Sequence, residues 1–456
     1  MSMTTDIVIL AAGQGSRMKS ALPKVLHPIA GKPMVQHVLD RARAIQAANM
    51  HLVIGHGAEQ LRTALQHESL SFSLQAEQLG TGHAVTQALP NIDTAGVTLI
   101  LYGDVPLTRT ETMERLITAA RKGHLGLLTV HLNDPTGYGR IVRNEVNDVV
   151  AIVEQKDANA AQLAITEVNT GIMAVPSQRL AEWLPRLSSE NAQGEYYLTD
   201  IIAMASEEGV QIEAQHPYCE EEVQGVNNRL QQAALERWYQ SQLANELMLA
   251  GATLADPNRI DIRGSVSVSG DVFIDINAVF EGEVVLGKGV IIEPNCVIKN
   301  CAIGDHTHIK ANSHLEDAEI AAQCDIGPFA RIRPGTRLAD GAKVGNFVET
   351  KKAQIGKGSK VNHLSYIGDA TIGENTNIGA GTITCNYDGV NKSLTEIGDN
   401  AFIGSNTALV APVKVGNGAT VGAGSTITKS IDDDQLAVAR GKQRNLSDWQ
   451  RPVKKS

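Results

Sequence analysis

The hydrophobic positions of this chain keep two rhythms, one in each half. From Ile274 to Ile427 an aliphatic residue recurs about every six positions. It falls at Ile303, Ile309, Leu315, Ile320, Ile326, Ile332, Leu338 and Val344, and resumes after Thr350 at Ile355, Val361, Ile367, Ile372 and Ile378. It returns at Ile397, Ile403, Leu409, Val415, Val421 and Ile427. An α-helix repeats every 3.6 residues and a simple strand every two, so neither explains this beat. Short repeats of this kind belong to parallel β-solenoids, in which each repeat is one small flat face and each coil stacks on the last. Every third aliphatic returns after 17 or 18 residues (Ile303, Ile320, Leu338, Ile355, Ile372), which predicts a triangular coil with three faces per turn. The intervening Gly, Asn and Asp suit tight corners. The beat breaks once, between Ile378 and Ile397, where an insertion includes Thr384–Asn391.

The first half alternates strand-like with helix-like runs. Asp6–Leu10, His51–Gly55, Ser71–Ala76, Val97–Tyr102 and Leu125–Val130 read as strands, and Met34–Ala48 and Glu111–Ala120 as helices. Such alternation predicts an open, mainly parallel α/β sheet, whose ligands bind beyond the carboxyl ends of the strands. Asn228–Ala250 reads as a helix on which Leu230, Ala234, Trp238 and Leu247 share a face, with Gly251 as its C-cap. The expected domains are 1–229, a helical linker 230–250, and a β-helix 251–456 that ends in a basic tail.

Length favours two or three domains over one core. A net charge of −10 argues against a broad nucleic-acid-binding surface. No apolar run is long enough to span a membrane, and the N-terminal residues lack the features of a secretion signal. The five cysteines are odd in number and contain no C-x-x-C pair, as in a reduced, cytoplasmic protein.

Chemistry enters at Leu10-Ala11-Ala12-Gly13, continuing through Gly15, Arg17 and Met18 to Pro23-Lys24. Small residues after a strand let backbone N–H groups approach a phosphate, and Arg17 and Lys24 add charge. A dinucleotide-binding Rossmann site would need a third glycine where Met18 stands and an acid after the second strand, which is missing. The longer string L-A-A-G-x-G-x-R-M-x4-P-K instead resembles the sugar-nucleotidyltransferases, which join a nucleoside triphosphate to a sugar 1-phosphate. Further landmarks follow in that family's order. Gln75, Gln78, Gly80 and Thr81 match its nucleobase-reading segment. Tyr102-Gly103-Asp104 matches its metal-binding aspartate, and Asn227 its second metal ligand. Gly139, Glu154 and Asn169 match its sugar-binding stretches. The resemblance implies Mg²⁺ on Asp104 and Asn227, with Arg17 and Lys24 stabilising the transferring phosphoryl group and the departing pyrophosphate.

The repeats IGKGSK, IGENTN, IGDNAF and VGNGAT resemble the hexapeptide-repeat acyltransferases, which fold as left-handed β-helices and are mostly trimeric. His363 stands beside the insertion as a candidate base, with Glu349, about one coil earlier, as the group expected to orient it. Taken together, the chain resembles, over essentially its whole length, the bacterial family of bifunctional N-acetylglucosamine-1-phosphate uridyltransferases/glucosamine-1-phosphate acetyltransferases. This implies a Rossmann-like α/β nucleotidyltransferase domain joined by a helical linker to a left-handed parallel β-helix. It places glucosamine 1-phosphate near Arg333, Lys351, Tyr366 and Asn377. It places acetyl-CoA near Ala380, Asn386, Tyr387, Ser405, Ala423 and Arg440. Acetylation would come first; N-acetylglucosamine 1-phosphate and UTP would then give UDP-N-acetylglucosamine. A single-function nucleotidyltransferase whose β-helix only builds the oligomer is the alternative. A three-sided prism suits three-fold closure, and CoA on one flat face would lie largely exposed, so a homotrimer with acetyl-transfer sites at chain junctions is expected.

Overall fold

A computed structural model describes residues 3–454 and divides them into two compact units, with the boundary between Tyr239 and Gln240. The first unit is built on a nine-stranded sheet. Its strands are β1 (Thr5–Ala11), β2 (Asn49–Ile54), β3 (Ser71–Leu74), β4 (Val97–Tyr102) and β5 (Leu125–His131). Then come β6 (Arg140–Arg143), β7 (Val149–Val153), β8 (Glu167–Pro176) and β9 (Ile212–Gln215). The order is β9-β5-β8-β4-β1-β2-β3, with the β6–β7 hairpin attached to β8. All pairings along that path are parallel except those of β8, which runs against β4 and β5.

Strand β1 shows why this sequence makes this sheet. Ile7, Ile9 and Ala11 enter one core cluster while Val8, Leu10 and Ala12 enter another. Both faces are covered, so a continuous apolar run replaces alternation. Helices α1 (Met34–Ala44), α2 (Ala58–Ala64) and, from the far side of the sequence, α3 (Thr110–Arg121) cover the first face. The helix Thr81–Ala88 joins Trp183 and Ile201 on the other. The chain moves outward from β1 through β2 to β3, then returns to the opposite side of β1 as β4. That reversal is a topological switch point, and it opens a crevice at the carboxyl ends of β1 and β4.

The long helix Arg229–Leu249 differs from the expected single face. Leu230 is 84% exposed and Ala234 is exposed, whereas Leu235, Gln240, Ala244 and Leu247 are buried. The reason is that the helix serves two cores in turn. Leu235 packs with Met18, Ile29, Met34, Leu107 and Val226 of the first unit, with Trp238 and Tyr239 against that cluster. Ala244 and Leu247 join the core of the second unit. Gln240 is buried because its amide donates to the Ile262 carbonyl (2.7 Å) and accepts from the Ile262 N–H (2.8 Å).

The second unit is a parallel β-helix whose interior rows match the six-residue beat. One row runs Ile274, Ile292, Ile309, Ile326, Val344, Val361, Ile378, Ile403, Val421. Another runs Leu286, Ile303, Ile320, Leu338, Ile355, Ile372, Ile397, Val415. In the third, Thr350 takes the place between Ile332 and Ile367, so the row does not lapse there. Corners use left-handed residues such as Asn295 (φ 61°) and Asn312 (φ 60°). The insertion leaves the stack after Cys385 and folds as a small loop, with Tyr387 bridged to Lys392.

Candidate functional sites

The first candidate site lies in the crevice at the switch point. Leu10, Ala11, Ala12, Gly13, Lys24, Gln75, Gln78, Gly80, Thr81, Tyr102 and Asp104 line one cleft. Adjacent parallel strands deliver them: Leu10 is paired with Tyr102, and the Gly103 N–H donates to the Leu10 carbonyl (2.9 Å). A Cβ on Gly13 would meet nothing within 4 Å, so its absence leaves open room in the cleft; Gly15 answers to packing instead. It is left-handed (φ 61°), and a Cβ there would stand 2.7 Å from Lys24 Cβ. The turn therefore needs glycine to bring Lys24 back over the cleft.

Charge converges on one point. The Lys24 ammonium is ion-paired with Asp104 and donates to Asn227 Oδ1 (3.3 Å), which also accepts from Arg17 (3.0 Å). Asp104 and Asn227, 123 residues apart by number, thus present two hard oxygen donors to a single cation. The ammonium stands there, and this donor set suits Mg²⁺. Gly139, Glu154 and Asn169 lie together. Asn169 N–H donates to the Gly139 carbonyl (2.9 Å), and its side chain accepts from Gly171 N–H (2.9 Å). A Cβ on Gly139 would lie 3.2 Å from Glu154 Oε1. Burial raises the Glu154 carboxyl above its ordinary value; the hydrogen bond from Thr199 opposes this and nearby Asp157, Asp200 and Glu195 add to it. The Tyr102 phenol is raised by burial first, then by Asp104 and Glu154. Val25, Ala84 and Glu195 also line the cleft but escaped the sequence reading. Glu195 is fixed by the bridge Tyr196 N–H to Leu79 carbonyl (2.8 Å), a tertiary contact with no local signature.

The second candidate site is a row on the β-helix. In the strand register Asn346 pairs with His363. Two residues beyond the paired Val361, Ile378, Ile403 and Val421 stand His363, Ala380, Ser405 and Ala423, on successive coils. His363, Ser405 and Ala423 are exposed, and the row is floored by small side chains. Arg440 folds back to donate to the Ala423 carbonyl (2.6 Å). Around the corner, Arg333 and Lys351 follow the register pair Ile332 and Thr350, and Glu349 pairs with Tyr366. Asn377 sits in the strand after His363, paired with Lys360 and Phe402. Asn386, at the root of the insertion, donates to Asp369 (2.5 Å); Tyr387 stands 60% exposed above it.

Two features add to the expected set. Glu349, in the strand Glu349–Ile355, accepts from Arg333 (2.7 Å). The imidazole partner is Asn346, whose Oδ1 lies 2.8 Å from His363 Nδ1. The insertion also brings Lys392 against Lys351, whose ammonium is held below its ordinary value by that neighbouring cation. Two adjacent ammonium groups beside Arg333 concentrate positive charge there.

Residues 7–194 match the family described as "MobA-like NTP transferase domain", residues 262–347 the "GMPPB C-terminal domain", and residues 394–429 the "Bacterial transferase hexapeptide (six repeats)". Among curated relatives, one from Cellvibrio japonicus called "Bifunctional protein GlmU" is 64% identical and covers 99% of this chain and 100% of its own. Proteins of the same description from Marinobacter nauticus and Idiomarina loihiensis are each 61% identical, covering 98% and 99% of this chain and 99% of their own lengths.

Proposed function

Since this chain belongs to the family of the bifunctional GlmU proteins, which it matches from end to end, we propose how its two activities divide between its two units. The protein is a bifunctional transferase, with a nucleotidyltransferase unit and a left-handed β-helix of acyltransferase repeats. In our reading the β-helix acetylates glucosamine 1-phosphate with acetyl-CoA, and the first unit joins the product to UMP from UTP, releasing pyrophosphate. The carrying observation is that each unit holds its own cluster: Arg17, Lys24, Asp104 and Asn227 in one, and the row from His363 to Ala423 in the other. That row also speaks against the β-helix being only an oligomerisation module, which would need no such polar groups.

For uridyl transfer, both reactants are anionic. Mg²⁺ held by Asp104 and Asn227 would supply charge neutralisation there. Lys24 and Arg17 stabilise charge on the phosphoryl group and pyrophosphate, while the small residues Ala11–Gly13 admit the phosphates. Gln75 and Gln78 read the base; Gly139, Glu154 and Asn169 receive the sugar. For acetyl transfer, Arg333, Lys351 and Lys392 hold the sugar phosphate. Tyr366 and Asn377 position the sugar, and His363 takes the amine proton as nitrogen attacks the thioester. CoA runs along Ala380, Ser405 and Ala423 towards Arg440, with Asn386 and Tyr387 flanking it. The flat row requires a wall to exclude water, and we assign that wall to neighbouring copies in a homotrimer.

Two variants test the division. Asp104→Ala is expected to lower uridyl transfer by at least about 100-fold while leaving acetyl transfer within about twofold, and His363→Ala to do the reverse. Equal loss of both activities in folded protein would overturn the reading.

A further inference from the structure

We propose that Asn346 is the positioning residue of the acetyl-transfer base, selecting its tautomer without adding charge; this rests on His363 being that base. The amide oxygen of Asn346 can only accept, so at 2.8 Å it requires the proton on His363 Nδ1. Nε2 then carries the lone pair, and only that atom can remove a proton from the substrate amine. The geometry comes from the solenoid. Asn346 and His363 are register partners on consecutive coils, so the rigid parallel ladder fixes the spacing of their side chains. His363 is further tied by its carbonyl, which accepts from Ser365 Oγ (2.8 Å) and from Gly381 N–H (3.3 Å).

The choice of amide over carboxylate has a consequence. A carboxylate at Nδ1 favours the imidazolium form and leaves less free base at neutral pH. The ionisable groups on the adjoining strands of this face are Lys360, three residues back on the same strand, and Lys343, its partner on the preceding strand; Asp325, one coil further back in register with Lys343, is ion-paired with Lys310 (2.7 Å). The following strand, Asn377–Ile378, brings none. Glu349, on the next face, is held by Arg333. A neutral orienting group therefore stands at His363 Nδ1 in place of a carboxylate. In the reaction the amine nitrogen bonds to the thioester carbonyl carbon and the C–S bond breaks. The amine proton passes to Nε2 and then to the departing CoA thiolate. Nδ1–H stays in place on Asn346 throughout.

The test uses the full chain, acetyl-CoA and glucosamine 1-phosphate, with uridyl transfer as the check on intact protein. Asn346→Ala is expected to lower acetyl-transfer kcat by roughly 10- to 100-fold, with the two KM values within about twofold. Asn346→Asp keeps an acceptor, so it is expected to recover most of kcat at high pH. Its added charge should move the acidic limb of the kcat/KM profile to higher pH by about one unit. A folded Asn346→Ala protein with kcat within twofold of the parent overturns the inference, as does an Asn346→Asp profile whose acidic limb does not move. His363→Ala separates the two levels. If it retains full acetyl transfer, the reading of the site fails; if it abolishes transfer while Asn346→Ala does not, only the tautomer argument fails.

Discussion

Glu154, half-buried, and Glu167, buried, are acids of the first unit whose surroundings drive them in opposite directions. Burial leaves Glu154 easier to protonate than an ordinary carboxyl. Burial pushes Glu167 the same way, but the two hydrogen bonds from Arg143 (2.7 and 2.8 Å) and one from Thr129 (2.8 Å) outweigh it, and its carboxyl lies below the ordinary 4.5. An acid whose folded value is depressed binds fewer protons folded than unfolded. Its stabilisation is therefore present above pH 4.5 and is lost as pH falls through and below that value. Glu167→Gln leaves Arg143 without its buried partner, so it should cost about 3 kcal/mol at neutral pH. Calorimetric Tm values from pH 7 to pH 3 should show the two proteins converging in acid; a constant gap would sink this account. Single residues differ in how much of their place the sequence spells out. Asp104, Lys24 and Asn227 sit in family strings, and the fold brings them to one point. Asn346, Lys392 and Glu195 gain their place only from coil register, an inserted loop and a tertiary bridge, and no local pattern marks those.

Repetition made the β-helix readable, because every coil had to place an aliphatic at the same inward position. It hid Thr350 and Thr384, which are fully buried in an otherwise aliphatic row. Threonine fills the volume of a valine and can spend its hydroxyl on the backbone. Thr384 Oγ1 accepts from Gly368 N–H (2.7 Å), and Thr350 Oγ1 lies 3.2 Å from Thr336 Oγ1. Ile367 sits between them with no exposed surface. Each coil is stabilised mainly by its neighbours, so a void there should weaken the stack around the acetyl-transfer row. Ile367→Ala should cost about 2–5 kcal/mol. On heating, acetyl transfer should be lost at a lower temperature than in the parent, with the uridyl-transfer midpoint unchanged. Coincident shifts of both would contradict two separate cores. The long helix carries a related expectation. A fragment ending at Tyr239 keeps Leu235 in the cluster with Met18, Met34 and Val226 and should retain uridyl transfer. A fragment ending at Arg229 lacks that plug and should unfold at lower temperature; equal Tm values would show that residues 230–239 add nothing to the first unit.

On the proposed reading, CoA lying along the outer row from His363 to Ala423 stays half in water unless something covers it. The β-helix carries what a cover by its own copies needs. Phe329 and Phe347 stack at 5.3 Å on successive corners while 50% and 56% exposed, and Leu364 follows them 63% exposed. Leu446 and Trp449 of the tail are exposed at 73% and 64%. Apolar side chains repeated along one edge suit an association surface, and the proposed trimer would close three such flat-sided prisms around a three-fold axis. Light scattering under assay conditions should therefore give three times the mass of one chain. Phe347→Glu should reduce that mass, and acetyl transfer should fall with it while uridyl transfer, carried in a self-contained cleft, remains. Mixed assemblies sharpen the point. His363→Ala and Arg440→Ala chains, each deficient alone, should regain acetyl transfer when unfolded, mixed and refolded together if the two residues of one working site come from different chains. If mixing restores nothing, both residues of a site come from one chain, as the contact between Arg440 and the Ala423 carbonyl in the same coil stack would allow. In that case the partner supplies only the wall. A monomer with full acetyl transfer would remove the need for any wall, and with it the trimer.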